Sequence, residues 1–379
     1  MKITIVPDSF KGCMTSKQVG AIIAEAMMRE IPSADVEIIP AADGGEGTVE
    51  SVISVLGGRY ETVTVKNPMF DDIKARYGIA MTTAVMEMSA ASGLTLLAEN
   101  QRNPMATTTY GTGQMILDAI EKGCDEIVIG IGGSATNDGG CGMAQALGAV
   151  FYDSDGNVLE MCGKNLALID RIDISKMHPA LKHTKFRVAC DVTNPLCGET
   201  GAAYTFARQK GADDAAIELL DRGLRHFADK VKSDLGLDIL TIEGGGAAGG
   251  LGAGLTAFCG GKLESGFSII SDIIGLDEKI RNSDVVITGE GRTDSQTIFG
   301  KLPSGVGGIA KKYTVPCIII SGAVAGDISG LYEKGITAAF SCVSETDTSL
   351  EQALAGAETA LARTARNVAR MIKHMNGGK

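Results

Sequence analysis

The chain opens on Ile3-Thr4-Ile5-Val6, a short apolar run of strand type that Pro7 ends. Thr15 and Gln18 then stand at capping-box spacing, and Val19, Ile22, Ile23, Ala26 and Met27 recur at helical intervals behind them. Residues 36–39 read as a second strand, residues 48–56 as a second helix closed by Gly57-Gly58, and residues 63–65 as a third strand. The rhythm returns at the far end, with strands predicted at 284–288, 317–321 and 336–340, and a helix at 304–312. A last helix begins near Leu350, with Leu354, Ala357, Leu361 and Val368 on one face and basic residues near its C-terminal end. Strands alternating with helices imply an α/β fold with a doubly wound parallel sheet.

The middle reads differently. Short alternating strands at 75–80 and 84–88, several Gly-rich loops and a polar helical stretch at 213–231 break the rhythm. The pattern predicts one discontinuous α/β domain, residues 1–68 and 284–379, with a second α/β domain, residues 69–283, inserted into it. Two domains that follow one another along the chain are the alternative.

Composition narrows the function. The 379 residues are 44% hydrophobic and 21% charged, as in an ordinary globular protein, but 50 are Gly. Those glycines have no fixed period, so they mark turns that approach something closely rather than a fibrous repeat. No Trp and 4% aromatic residues argue against stacking single-stranded bases, and a net charge of −11 argues against non-specific nucleic-acid or anionic-membrane binding. No apolar run approaches the ~18 residues of a membrane span. Nine Cys without a C-x-x-C, four His without metal spacing and an N-terminal run too soon interrupted for a signal peptide point to reduced thiols in the cytoplasm.

In parallel α/β sheets, ligands collect where strands end and helices begin. Four loops of this kind carry polar residues here: Pro7-Asp8-Ser9-Phe10-Lys11-Gly12, Asp43-Gly44-Gly45-Glu46-Gly47-Thr48, Thr288-Gly289-Glu290-Gly291-Arg292-Thr293-Asp294 and Ser321-Gly322. Lys11, Arg292 and Lys301 are candidates to hold a carboxylate or phosphate. Asp8, Asp43, Glu46, Glu290 and Asp294 are candidates for hydroxyls, Mg²⁺ or a proton. The middle adds Thr107-Thr108-Thr109-Tyr110-Gly111-Thr112-Gly113 before a helix expected from Gln114, and a strand at 186–190 that ends on Asp191.

Gly130-Ile131-Gly132-Gly133-Ser134-Ala135-Thr136-Asn137-Asp138-Gly139-Gly140 follows the apolar Ile127-Val128-Ile129 and matches G-x-G-x-x-A. A dinucleotide fingerprint needs its helix to be running already after Ala135. Here Thr136-Asn137-Asp138-Gly139-Gly140 follow, poor helix formers all, and the next helix is expected near Cys141. The stretch therefore reads as a phosphate- or nucleotide-binding loop and not as an NAD site. No Walker A loop, G-x-S-x-G elbow or protein-kinase motif set is present in the sequence.

Taken together, PDSFKG at 7–12, ADGGEGT at 42–48, YGTG at 110–113, GIGGSATNDGG at 130–140, DVTNPLCGETGAAYTFARQKGA at 191–212, GGGAAGGLGAGL at 244–255 and TGEGRTDSQTIFGK at 288–301 resemble the bacterial glycerate kinase family. The resemblance implies phosphorylation of D-glycerate by ATP with Mg²⁺, with 2-phosphoglycerate favoured over 3-phosphoglycerate. It also implies a discontinuous flavodoxin-like, Rossmann-like domain, an inserted domain with a mixed sheet, and an active-site cleft between them. A kinase for another short sugar acid and a non-catalytic hydroxy-acid binder are the rival readings, and a homo-oligomer is compatible with any of them.

On that reading Lys11 and Arg292 hold the glycerate carboxylate or the migrating phosphoryl group, and Asp191 orients or deprotonates the attacking hydroxyl. Asp8, Ser9, Asp43, Glu46, Glu290 and Asp294 surround the substrate. Thr109, Gly111, Gly113, Gly132, Gly133, Ser134 and Lys301 cradle the nucleotide phosphates, with Asn137 and Asp138 near Mg²⁺.

Overall fold

The strands read at the two ends of the chain join in one sheet. In the computed structural model, which describes residues 1–40, 47–298, 301–343 and 349–376, its order is Ala338–Ser341, Cys317–Ser321, Val285–Gly289, Lys2–Pro7, Asp35–Ile38, and every pairing is parallel. The inner strands are covered on both faces, which is why they are nearly continuous apolar runs. Ile3, Ile5, Val285, Ile287, Ile318 and Ile320 bury one face against Val19, Ile23 and Met27 of the Ser16–Glu30 helix and Leu361, Ala365, Val368 and Ile372 of the Ala357–Asn376 helix. The Leu302–Lys312 helix packs on the strands from the other side. The predicted capping box is present: Gln18 N–H donates to Thr15 Oγ1 (3.3 Å), and Thr15 N–H donates to Gln18 Oε1 (2.9 Å). Such caps stabilise a helix by about 1 kcal/mol.

The second sheet is mixed. Its order is Lys262–Glu264, Lys185–Ala189, Glu126–Gly130, Thr83–Glu87, Asp72–Ala80, Arg59–Lys66, with parallel pairing among the first four strands and antiparallel pairing among the last three. The chain thus forms two units, Met1–Asp43 with Ile270–Lys379, and Gly44–Ile269. The boundaries fall at 43/44 and 269/270, not at 68/69 and 283/284. For the first boundary the physical reason lies in the turn at 67–71. Five residues cannot make the crossover of a dozen or more that a parallel connection requires. Asn67 instead closes a tight turn, its Oδ1 accepting from Met69 N–H (2.8 Å) and Asp71 N–H (2.9 Å), so Arg59–Lys66 pairs with the strand that follows it. The Thr48–Leu56 helix goes with it and packs on the Asp72–Ala80 and Thr83–Glu87 strands. No helix among the described residues is long and apolar enough to cross a membrane.

Close helix packing in the second unit rests on two glycines. The Tyr110–Glu121 helix lies against Cys141–Ala146 so tightly that a Cβ at Gly113 would stand 2.4 Å from the Met143 carbonyl oxygen, and one at Gly111 would stand 1.9 Å from that of Lys66. Gly113→Ala is expected to destabilise the protein by about 1–3 kcal/mol in urea unfolding, through overpacking against rigid backbone. Gly308→Ala, at an exposed helical position with nothing within 4 Å of the new Cβ, is expected to stabilise by up to about 1 kcal/mol.

Candidate functional site

In the first unit, the loops after three parallel strands stack at one sheet edge. Asp8 N–H donates to the Gly289 carbonyl (2.8 Å), and Gly322 N–H donates to that of Glu290 (3.1 Å). A Cβ at Gly291 would stand 3.4 Å from the Lys11 nitrogen, and one at Gly289 only 1.9 Å from the Ile320 oxygen. The sequence candidates Asp8, Ser9, Lys11, Glu290, Arg292, Asp294 and Lys301 are therefore brought together. Asp43 and Glu46 lie outside the described residues.

These side chains divide by role. Glu290 is buried, and its Oε1 accepts from Thr293 Oγ1 (3.2 Å) and Thr297 Oγ1 (2.6 Å), while its Oε2 faces Lys301 Nζ at 3.5 Å. Thr293 gives its proton to Glu290, so the Ser321 hydroxyl 2.7 Å away donates to Thr293, and Ser321 Oγ in turn accepts from Glu290 N–H (3.3 Å). That closed ring makes Glu290 a support for the loop rather than an open substrate ligand, and it makes Lys301 the partner of Glu290. Asp294 starts a turn by accepting from Gln296 N–H (3.0 Å) and pairs with Arg292 Nε at 3.3 Å. Asp8 likewise accepts from Ser9 N–H (2.6 Å). Lys11 and Arg292 keep exposed head groups.

In the second unit, the loop after Glu126–Gly130 is pinned on both sides. Ile131 N–H donates to Ala189 O (3.4 Å), Leu94 N–H to Gly133 O (2.8 Å), and Ala135 N–H to Ser92 O (2.9 Å). Between the pins, the amides of Gly132, Gly133 and Ser134 donate to no group among the described residues. Gly133 has φ +72°, which an L side chain adopts only with strain, and both glycines are exposed. Successive unclaimed N–H groups around a left-handed residue form a concave anion site.

Behind that face the polar residues are spent on architecture. Asp138 is 0% exposed and accepts four hydrogen bonds: from Thr109 N–H (2.7 Å), Thr109 Oγ1 (2.8 Å), Gly142 N–H (3.2 Å) and Gly140 N–H (3.2 Å). Burial pushes its carboxyl pKa up, against the pull of those donors. Three of these bonds fall on Oδ2 and one on Oδ1, and the carboxylate is shut off from solvent, so Asp138 is not an open Mg²⁺ ligand. Thr109 Oγ1 also accepts from Met143 N–H (2.9 Å), leaving it nothing for a phosphate. The helix expected from Gln114 begins at Tyr110, which places Gly111 and Gly113 inside it as packing residues and not in a phosphate loop. Asn137 is 0% exposed, and both its side-chain polar atoms lack a partner among the described residues. A fully buried amide beside a fully buried carboxylate does not make a site for Mg²⁺, an ion that keeps several waters. No group of three His, Cys, Asp or Glu suited to a metal occurs among the described residues.

Two acids flank the amide face on neighbouring strands, because Gly130 pairs with Glu87 on one side and Ala189 on the other. Asp191, two residues beyond Ala189, is exposed, and its Oδ1 accepts from Gly266 N–H (3.1 Å). Glu87 went unnoticed in the sequence. Its Oε1 accepts from Gly47 N–H and Thr48 N–H, both at 3.1 Å, and so caps the Thr48–Leu56 helix. Burial, with the charge of Glu50 added, raises its pKa against these backbone bonds. An acid ending the run Thr83-Ala84-Val85-Met86 was the available signal. Lys210, also missed, is 2% exposed beneath the loop, a position no local pattern announces.

Comparison with known proteins adds the following. A family model described as the glycerate kinase family matches residues 3–373. The chain is 46% identical over 369 residues to the glycerate kinase of Halalkalibacterium halodurans, with 97% of each chain covered. It is 46% identical over 371 residues to the glycerate 2-kinase of Escherichia coli K12, again with 97% of each covered. The crystal structure of a protein assigned as glycerate kinase 2 from Salmonella typhimurium LT2 superimposes with a TM-score of 0.91 at 44% identity, covering 100% of this chain and 99% of that one. That likeness carries the α/β fold with one parallel and one mixed sheet.

Asp138→Asn puts an N–H₂ group among four donors and is expected to cost at least about 1–3 kcal/mol of stability in urea unfolding. A metal-ligand role predicts the opposite pattern: unchanged stability and a raised Mg²⁺ requirement.

Proposed function

The chain belongs to the glycerate kinase family, and from that premise we propose that it transfers the γ-phosphoryl group of ATP to D-glycerate, giving 2-phosphoglycerate and ADP. The observation that carries the geometric side of this reading is the set of three unclaimed amides at Gly132, Gly133 and Ser134 on an otherwise pinned loop. The 2-position rests on the likeness to the glycerate 2-kinase. We read the first unit as flavodoxin-like because the strands of its five-stranded sheet, counted within that sheet, run in the order 2-1-3-4-5. Nine free cysteines fit a cytoplasmic enzyme.

Phosphoryl transfer asks a protein mainly for positioning and for neutralisation of spreading charge. The amides of Gly132–Ser134 take the nucleotide phosphates, with the dipoles of the loop preorganised before ligand arrives. Lys11 and Arg292 hold the glycerate carboxylate or the phosphoryl group in flight. The support for this is that both head groups stay exposed, Arg292 while pairing with Asp294, and that Glu290 is occupied by Thr293, Thr297 and Lys301. Asp8, Ser9 and Asp294 shape that loop, and Asp43 and Glu46 are proposed to take the glycerate hydroxyls. Asp191 orients the attacking hydroxyl and accepts its proton. Mg²⁺ would enter as part of the nucleotide substrate and would neutralise charge on its phosphates; Asn137 and Asp138 are not proposed as its ligands.

ADP release measured with D-glycerate, L-glycerate, tartronate and glucarate separates the rivals. Turnover with D-glycerate, and a ³¹P signal of 2-phosphoglycerate in the product, is expected. Release that ignores D-glycerate in favour of another acid makes the chain a different sugar-acid kinase, and binding without ADP release makes it a non-catalytic binder. Asp191→Asn is expected to lower kcat by about two orders of magnitude or more in a folded protein, and near-normal turnover removes Asp191 from the proton transfer.

A further inference from the structure

Lysine is rarely buried without reason. Lys210 ends the short Arg208–Lys210 turn, and its side chain is 2% exposed. Its Nζ donates to Ser134 Oγ (2.7 Å) and to the Thr136 carbonyl (2.7 Å), both in the loop that carries the unclaimed amides. Two further observations mark this spot as more polar than the fold requires. Thr136 Oγ1 and both polar atoms of Asn137 are buried with no partner among the described residues. Desolvation costs the ammonium so much that its pKa is pushed down to about 7, although the Asp138 charge pulls it up. Asp138 is the charged group that acts on it, and the Cys141 and Cys162 thiols, themselves raised by burial, feel the same carboxylate. A Met in this place would fill the space without that cost, and buried charges are often replaceable by apolar residues at no loss of stability.

We propose that Lys210 is a positioning residue for the phosphate cradle: its Nζ grips Ser134 and Thr136 from beneath, fixes the loop with its amides free for an anion, and, when protonated, sets a positive charge behind the bound phosphates. The proposal rests on the reading that Gly132–Ser134 holds the nucleotide phosphates. The lysine touches no reacting atom. Its work is to keep the loop in the conformation that binds an anion and to make the floor of that site cationic.

The test measures ADP affinity by calorimetry, KM for ATP and for D-glycerate, and thermal unfolding, in the full chain and its variants. Lys210→Met is expected to weaken ADP binding and raise the ATP KM by about 10- to 100-fold, with the D-glycerate KM held within about twofold. Ser134→Ala, which removes one of the two grips and leaves every amide, is expected to weaken ADP by about 3- to 10-fold. A folded Lys210→Met protein with wild-type ADP affinity overturns the proposal, as does an equal loss for ADP and D-glycerate, which marks general loosening. If Lys210→Met does not fold, Ser134→Ala decides, and unchanged ADP affinity there overturns it. Gly132→Asp separates this failure from failure of the cradle itself, since its side chain enters open space at the amide face. Loss of ADP binding in Gly132→Asp with none in Lys210→Met or Ser134→Ala sinks only the lysine's role, whereas unchanged ADP binding in Gly132→Asp sinks the cradle.

Discussion

A carboxylate with no water to face must find its partners in the protein, and Asp138 finds four. Three of those bonds end on residues that begin helices or sit just before them, so one buried charge ties the start of Tyr110–Glu121 to the start of Cys141–Ala146. Once those two starts are fixed, the glycines at 111 and 113 can seat one helix against its neighbours. The loop between Ile131 and Asp138 is then held from behind, and the amides of Gly132, Gly133 and Ser134 are left without a partner among the described residues. Gly133 takes its left-handed φ of 72° without strain because it has no Cβ.

The first unit repeats this division of labour with different residues. Glu290 is buried and gathers Thr293, Thr297 and Lys301 around it, and Ser321 closes the ring. Lys11 and Arg292 are left with exposed cationic heads on loops that cannot drift. In both units the buried acids build, and the backbone amides or exposed bases are the groups left to bind in the proposed reading. That arrangement suits phosphoryl transfer, in which preformed positive potential matters more than covalent participation. It also explains how a chain of net charge −11 can accept anionic substrates.

What the sequence made legible follows this physics. Periodicity found the Ser16–Glu30 helix and its cap, the inner parallel strands and the helix at Cys141, because each is decided by local pattern and burial. Strand Arg59–Lys66 was joined to the wrong sheet because alternation alone does not name a partner; only the shortness of the 67–71 turn does. The loops at Lys11, Gly132 and Arg292 were found from glycine and charge. Asp138, Glu290 and Thr109 read as ligands in the sequence because a sequence shows that a residue is polar, not whether another residue already bonds to it. Lys210 and Glu87 were invisible for the complementary reason: their importance comes from contacts 76 and 40 residues away in the chain.

A complex with D-glycerate and a non-hydrolysable ATP analogue, solved by crystallography, bears most directly on this account. It is expected to place phosphate oxygens within hydrogen-bond distance of the Gly132, Gly133 and Ser134 amides, about 2.7–3.2 Å, with Asp138 still bound to Thr109 and carrying no metal. Phosphates seated elsewhere, or Asp138 turned away from Thr109 to coordinate Mg²⁺, would contradict it.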